Sequence, residues 1–411
     1  MININSFNSL GINTFLAKKL KERSIEKPTA IQNLIIPKLL TDSPLEKKIV
    51  FRSATGTGKT FAYLLPILHM LTADEKISRK NSPEALICGP TLELCSQIKA
   101  EVDFLTTLPA SLLIGSVNLE KQIENLKKTK PVIVVGNPGR LLVLAKMGKL
   151  KFHSLKFLIL DEADRLTSQE CLKETKELLA NIEKAKTRAE DNSLTAASCS
   201  ATVSAKTSTL LGPLFKDAEI IESDDHEILR ERIEHWALFS EKRRKTQTLR
   251  SLLAALKAKK KNVKALVFTS KGDEAALVFS RLQYHHVKAA GLFGKIGKKP
   301  LSGEQRREAL NLFRDGKADV LISTDLAARG LDIPGITHII ALDVPSDSEV
   351  YIHRCGRTAR AGKRGIMITI GDAVQMRLLA SLEKKLKIRV QPKELYQGMV
   401  MAIDQEELAT D

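Results

Sequence analysis

Aromatic side chains are scarce in this sequence: 4% of 411 residues, with one Trp and four Tyr. A platform of stacked bases on exposed rings therefore has little material. Cysteine is sparse too. The five, at positions 88, 95, 171, 199 and 355, show neither paired metal-ligand spacing nor the even count of a disulfide framework. A stapled secreted scaffold and a thiolate zinc site are excluded, and a reducing, intracellular setting is expected. Long apolar runs are missing as well. The longest, Phe61 to Leu71, is broken by Pro66 and His69 and is too short to span a bilayer. The N-terminus has no basic-then-apolar leader pattern. A soluble protein with no membrane partner is the expectation.

Negative charge is short by comparison with positive. Lys and Arg number 65 against 48 Asp and Glu, a net charge of +17, and the excess is spread over both halves rather than gathered in a tail. Such a surface raises the local concentration of a polyanion, nucleic acid above all. The dense clusters Lys242-Arg243-Arg244-Lys245 and Lys259-Lys260-Lys261 read as solvated surface, since no aromatic residues interleave them.

Short aliphatic and β-branched runs recur between helix-like stretches. They are KIVF at 48–51, ALIC at 85–88, PVIVV at 131–135 and FLIL at 157–160, followed by KALVF at 264–268, DVLIS at 319–323, THIIAL at 337–342 and GIMITI at 365–370. Continuous apolar runs of this length suit parallel strands buried on both faces. Two α/β domains follow, 1–222 and 236–390, joined by a polar, charge-rich hinge at 223–235. The segment 391–411 ends acidic and reads as either a docking helix or a frayed tail.

Chemistry concentrates at the ends of the apolar runs. KIVFRSATGTGKTFAYLL gives a strand, a glycine-bearing turn, then Lys-Thr opening an apolar helix, the context that a phosphate loop requires. Gly56 and Gly58 let backbone amides approach phosphate oxygens, Lys59 neutralises them, and Thr60 is placed to ligate magnesium. Ser53 stands where the general pattern has its first glycine. FLILDEADRL places Asp161, Glu162 and Asp164 just beyond a buried strand, where open α/β sheets bind ligands. By itself an acidic turn more often complements a helix dipole. With a phosphate loop upstream, it points to a magnesium-holding Asp161 and a Glu162 that orients or deprotonates water. In YIHRCGRTAR, residues 351–360, His353, Arg357 and Arg360 fall at i, i+4 and i+7 of a helix with Arg354 beside them, a cationic stripe that wants an anion.

Taken together, these residues resemble the DEAD-box ATP-dependent RNA helicases over nearly the whole chain, and Asp161-Glu162-Ala163-Asp164 spells the family's name. Further matching motifs are Phe7 with Lys27-Pro28-Thr29-Ala30-Ile31-Gln32, the loop from Ala54 to Thr60, Pro90-Thr91, Pro138-Gly139-Arg140 and Ser200-Ala201-Thr202. VFTS at 267–270, STDLAARGLDIPG at 323–335 and HRCGRTAR at 353–360 complete the series.

The resemblance implies two tandem RecA-like domains, each a mainly parallel sheet flanked by helices, that close on ATP and on single-stranded or short duplex RNA. It implies that Gln32, with Phe7, senses adenine. Thr55, Gly56, Thr57, Gly58, Lys59 and Thr60 would hold the phosphates, with Mg2+ on Thr60 and, through water, Asp161. Asp332 would approach the ribose, and Arg357 and Arg360 would complete the γ-phosphate site. RNA would be gripped at Pro90, Thr91, Gly115, Arg140, Arg306 and Thr324. Asp164, Ser200, Thr202 and His353 would couple hydrolysis to closure, with Arg354 structural. A cytoplasmic monomer working with protein cofactors or ribonucleoprotein is expected.

The sequence departs from the family's pattern at Ser24-Ile25 (Gly-aromatic in the family), Leu92 (Arg), Ser116 (the second Gly of a pair), Asn137 (Thr) and Gly303 (Gln). Two other readings stand beside the helicase. One is a slowly hydrolysing, ATP-gated RNA clamp or scaffold, supported by Leu92 and Ile25. The other is a DNA motor, disfavoured by Gln32 and Ser200-Ala201-Thr202.

Overall fold

The computed structural model describes residues 6–40, 47–53, 57–73, 82–189, 192–200, 212–222, 226–259, 262–296, 299–300, 302–328, 333, 335–359 and 364–403. The chain divides into two compact units, Met1–Asp224 and Asp225–Asp411.

In the first unit the aliphatic runs are strands, as their continuous hydrophobicity requires. β1 is Lys48–Arg52, β2 Ala85–Cys88, β3 Ala110–Leu113, β4 Ile133–Gly136, β5 Phe157–Asp161, β6 Thr195–Ser200 and β7 Glu219–Glu222. Among the described residues they form one sheet in the order β3-β4-β2-β5-β6-β1-β7, every pairing parallel. Helices cover both faces: Phe51, Ile87 and Val135 belong to one core, and Val50, Leu86 and Val134 to the other. Parallel strands end together, so the residues following β1, β5 and β6 share one edge of the sheet.

The second unit repeats the plan. β8 is Ile233–Phe239, β9 Ala265–Thr269, β10 Ala289–Leu292, β11 Lys295–Ile296, β12 Lys299–Pro300, β13 Val320–Thr324, β14 His338–Ala341, β15 Gly365–Gly371, β16 Val390–Tyr396 and β17 Met399–Ala402. Its main sheet runs β10-β13-β9-β14-β15-β8-β16-β17, parallel except for the β16/β17 pair, with β11 and β12 as a separate ribbon. Helices Lys245–Lys259 and Gly272–Tyr284 pack on one face, and Gly303–Arg314, Ser348–Cys355 and Ala373–Leu386 on the other.

The structure corrects three expectations. The hinge expected at 223–235 is largely part of the second unit, because helix His226–Glu231 leads directly into β8. Its polar look misleads: His235 is buried, with its ring nitrogens on the Tyr351 hydroxyl (2.9 Å) and the Leu229 carbonyl (2.9 Å). The segment from 391 is neither helix nor frayed tail through residue 402. β16 and β17 extend the second sheet beside β8, with Pro392 paired to β8 but just outside the part of β16 that pairs with β17, the edge strand. Finally, the helix carrying His353 stops at Cys355 with Gly356 as its cap, so Arg357 is not on a helical stripe.

Candidate active site

β1 delivers the chain to Ser53, and the helix Lys59–Ala73 takes it away. Ser53 is fully buried, its hydroxyl 2.5 Å from that of Thr57 and its amide on the Ser200 carbonyl at 3.1 Å. A serine in the glycine position is thus absorbed by a local hydroxyl pair with Thr57, while its backbone amide ties the phosphate loop to the end of β6. Lys59 Nζ donates to the Ser53 carbonyl at 2.6 Å. Gly58 lies at φ +91, where a Cβ would collide with the Gln32 amide. Thr55 and Gly56 lie outside the described residues.

Gln32 is 2% exposed. Its Nε2 donates to the Gly58 carbonyl at 3.0 Å and its Oε1 accepts from the Thr29 amide at 2.9 Å. One N–H and one lone pair remain for an external edge. Phe7 packs in the core with Ile31 and Ile35, where it fixes the helix carrying Gln32. Ser24 sits at φ +59, the region that a glycine enters at no cost, and Ile25 packs against the same core.

β5 carries Asp161 to the same edge, and the carboxylate is 3% exposed. Three donors hold it: the Tyr63 hydroxyl on Oδ2 at 2.8 Å, and the Cys199 thiol (3.0 Å) and Glu162 amide (2.9 Å) on Oδ1. Burial first, and the charge of Asp161 second, push both the phenol and the thiol well above their ordinary ranges, so each stays protonated and donates. Thr60 lies near the Tyr63 phenol as well, which brings both expected magnesium ligands close to one hydroxyl. Sequence reading passed over Tyr63 and Cys199. The signal for Tyr63 is its place four residues after Lys59, on the turn of helix above it; Cys199 had none.

Glu162 adopts φ 50, ψ 53, a left-handed conformation costing roughly 1–2 kcal/mol for a side chain of its size. Its carboxylate meets Arg165 Nη1 at 3.2 Å, a partner also missed although the i, i+3 spacing allows it. Asp164 Oδ1 accepts from the Arg165 amide at 2.9 Å, and Ser200, 1% exposed, ends β6.

On the same edge of the first unit, Thr91 caps helix Leu92–Leu105 by accepting from the Leu94 amide (3.3 Å), with Pro90 just before it. Arg140 and Gly115, far apart in sequence, meet: Nη2 donates to the Gly115 and Val117 carbonyls, both at 3.0 Å, while the buried Nη1 has no partner among the described residues. Leu92 is exposed, so its departure from the family's arginine leaves the fold untouched.

In the second unit, Arg354 is 1% exposed. It makes a paired contact to both oxygens of Asp325 at 2.7 Å and also bonds Asp343 Oδ1 (2.8 Å) and the Asp343 carbonyl (2.9 Å). Burial alone would lower its pKa, but these partners more than offset that and raise it. His353 and Arg357 line one small cavity with Phe268 and Asp325. Thr324 ends β13, its hydroxyl accepting from the Ala327 amide at 3.3 Å, and Arg306 is half-exposed on helix Gly303–Arg314. Thr202, Asp332 and Arg360 lie outside the described residues.

The comparisons agree with this geometry. The family model described as DEAD/DEAH box helicase matches residues 29–210, and that of the helicase conserved C-terminal domain matches 244–362. The DEAD-box ATP-dependent RNA helicase CshC of Bacillus cereus is 31% identical over 387 residues, 93% of this chain and 92% of that protein. The probable ATP-dependent RNA helicase YfmL of Bacillus subtilis is 32% identical over 380 residues, 92% and 93% of the two chains. Among solved structures, Mss116p (NTE and C-tail double deletion) bound to ssRNA and AMP-PNP aligns with a TM-score of 0.79 at 25% identity, covering 95% of this chain and 79% of that one. Saccharomyces cerevisiae Dbp5 bound to RNA and ADP BeF3 gives 0.77 at 24%, covering 94% and 95%, a likeness of fold. The two units are thus tandem RecA-like domains. Matched in both halves and in order along its length, the chain belongs to the DEAD-box ATP-dependent RNA helicase family.

Proposed function

We propose that this protein hydrolyses ATP to ADP and phosphate in response to RNA, and uses the cycle to separate short duplexes or remodel RNA–protein complexes. The observation that carries the reading is Asp161. Among the described residues it is a buried carboxylate hydrogen-bonded only by neutral donors, beside Thr60 and the Lys59 loop, at an edge where parallel sheets bind ligands. Its charge calls for a cation from outside the protein.

The donor set is hard oxygen, which fits magnesium. Thr60 and, through water, Asp161 would hold Mg2+, which when bound supplies charge neutralisation to the phosphates. Lys59 leaves the Ser53 carbonyl for phosphate oxygens, with the amides from Thr55 to Gly58 beside it. Gln32 offers its remaining N–H and lone pair to adenine, supported by Phe7, and Asp332 approaches the ribose. Glu162, aimed by its left-handed backbone and steadied by Arg165, orients the attacking water and takes its proton. Arg357 and Arg360 bring fixed positive charge to the transferring phosphoryl group when the units close. Pro90, Thr91, Gly115, Arg140, Arg306 and Thr324 grip the RNA backbone with little preference for sequence. Asp164, Ser200, Thr202 and His353 link the two events. A monomer acting in the cytoplasm, alone or with ribonucleoprotein, suits this reading.

Glu162→Gln tests it. The variant keeps size and hydrogen bonding, so ATP and RNA binding should persist while phosphate release falls at least on the order of 100-fold. Wild-type phosphate release should rise with RNA and not with DNA of equal length. Full-rate turnover without RNA, or an unaffected Glu162→Gln enzyme, would sink the reading.

A further inference from the structure

The basic run Lys242-Arg243-Arg244-Lys245 has three different fates in the fold. Lys245 is half-buried and donates to the Leu342 carbonyl at 2.7 Å and to Gln375, and burial lowers its pKa. Arg244 faces Glu241 at 3.8 Å. Arg243 instead opens onto a cavity of about 310 Å³, where Arg250 joins it from the following helix and Arg281 and His285 from the end of the next. Thr246 and Gln247 add polar groups, and Leu282 forms an apolar floor. No carboxylate is among the described residues that line the cavity.

Among the described residues, none of these three guanidinium groups makes an ion pair or side-chain hydrogen bond, whereas Arg23, Arg165, Arg244 and Arg354 each have an acidic partner. Like charges gathered around one concavity repel, a cost that an anion removes. The cavity lies between the first turn of helix Lys245–Lys259 and the last turn of helix Gly272–Tyr284, whose opposed dipoles leave the arginine charges to set its sign. Beside it Tyr284 is 80% exposed, its ring edge-on to His285 at 5.2 Å. An open ring touching His285 at the rim of a cavity lined by three arginines suits a phosphate chain carrying bases.

We propose that this cavity is a second RNA-backbone site. It rests on the reading that the protein acts on RNA, and it is distinct from the motif-bearing residues. Its helices pack on the face of the second sheet opposite the helices that carry Arg306 and His353. It holds a flanking stretch of a long RNA whose central nucleotides occupy the motif loops, which gives affinity for long or structured RNA without a separate binding module.

The test uses the full chain with Arg250→Glu/Arg281→Glu and, as a charge-preserving control, Arg250→Lys/Arg281→Lys. Binding of a long single-stranded RNA is followed by anisotropy across a salt series, alongside phosphate release stimulated by an oligoribonucleotide only long enough for the motif loops. The glutamate pair should weaken long-RNA binding and reduce the salt slope by about 2, since each arginine removed leaves one phosphate with its counterions. Short-RNA-stimulated hydrolysis should stay unchanged and the lysine pair should keep most of the long-RNA affinity. Arg281→Ala alone, at an exposed position, should give about half the change in slope should the double variant fold poorly. An unchanged slope in the glutamate pair overturns the site, as does a lysine pair that loses as much as the glutamates. Loss of polyglutamate binding with RNA affinity intact assigns the cavity to an acidic protein instead. Loss of wild-type stimulation by short RNA would count against the helicase reading itself, separately from this site.

Discussion

Each unit buries a charged side chain at the ligand edge of its sheet, and the two are treated in opposite ways. Asp161 of the first unit, 3% exposed, is met by a phenol, a thiol and an amide. Arg354 of the second, 1% exposed, is met by two carboxylates. A buried charge is tolerated when paired, and costly when not. The anion of the first unit is positioned but not neutralised, which leaves it open to a cation and the nucleotide that brings it. The cation of the second unit is neutralised by Asp325 and Asp343, and so belongs to the architecture. Neighbouring cations in the same motif therefore do different work: Arg354 fixes the loops after β13 and β14, whereas Arg357 is proposed to act on phosphate.

The largest effect expected from this contrast is on hydrolysis. Arg357→Ala should reduce RNA-stimulated phosphate release by roughly 1000-fold, the contribution of a typical arginine finger, with nucleotide affinity of the first unit little changed. Normal turnover in steady-state assays would return Arg357 to a purely structural part.

Next in size is stability. Arg354→Met should cost about 3–5 kcal/mol by leaving Asp325 and Asp343 facing each other without their cation, seen as an early urea transition of the second unit. A variant as stable as wild type would mean that Arg354 is held in reserve, as Asp161 is.

A smaller effect probes how Asp161 is held. Tyr63→Phe keeps the ring in the core and removes only the donor to Oδ2, so the magnesium concentration needed to tighten binding of a fluorescent ADP should rise on the order of tenfold. An unchanged requirement would reduce the Tyr63 contact to packing.

The smallest concerns His235. Burial lowers its pKa from the ordinary 6.5, so the folded state holds it neutral while the unfolded chain protonates first. Its contribution to stability is present above about pH 6.5 and is lost as pH falls through that value toward the lowered folded pKa. Urea midpoints of wild type should fall over this window, and those of His235→Gln should fall less.

Strand by strand, legibility followed hydrophobic content. β2, β4, β5, β9, β13, β14 and β15 could be read because buried parallel strands are written in large aliphatic residues. β6, TAASCS, is buried over five of its six residues, but small side chains fill its place between the layers and give no pattern. β8 hid behind a buried histidine, and β16 behind a proline. At the site, the phosphate loop and the acidic turn were legible because phosphates and cations demand fixed residue types at fixed spacing. Tyr63, Cys199 and Arg165 were not, since a phenol, a thiol and a guanidinium have many ordinary uses and only distance selects one.

The sequence alone therefore determined the two α/β layers, the loop chemistry and the family, all of which depend on residues near one another along the chain. Tertiary structure decided what depends on pairs brought together from a distance. It made Arg354 a structural cation through Asp325 and Asp343, locked Gln32 onto Gly58, joined Arg140 to Gly115, and gathered Arg243, Arg250 and Arg281 around one cavity. The physical reason is that the role of a charge is set by what compensates it, and the compensating groups lie far along the chain, as Tyr63 does at 98 positions from Asp161.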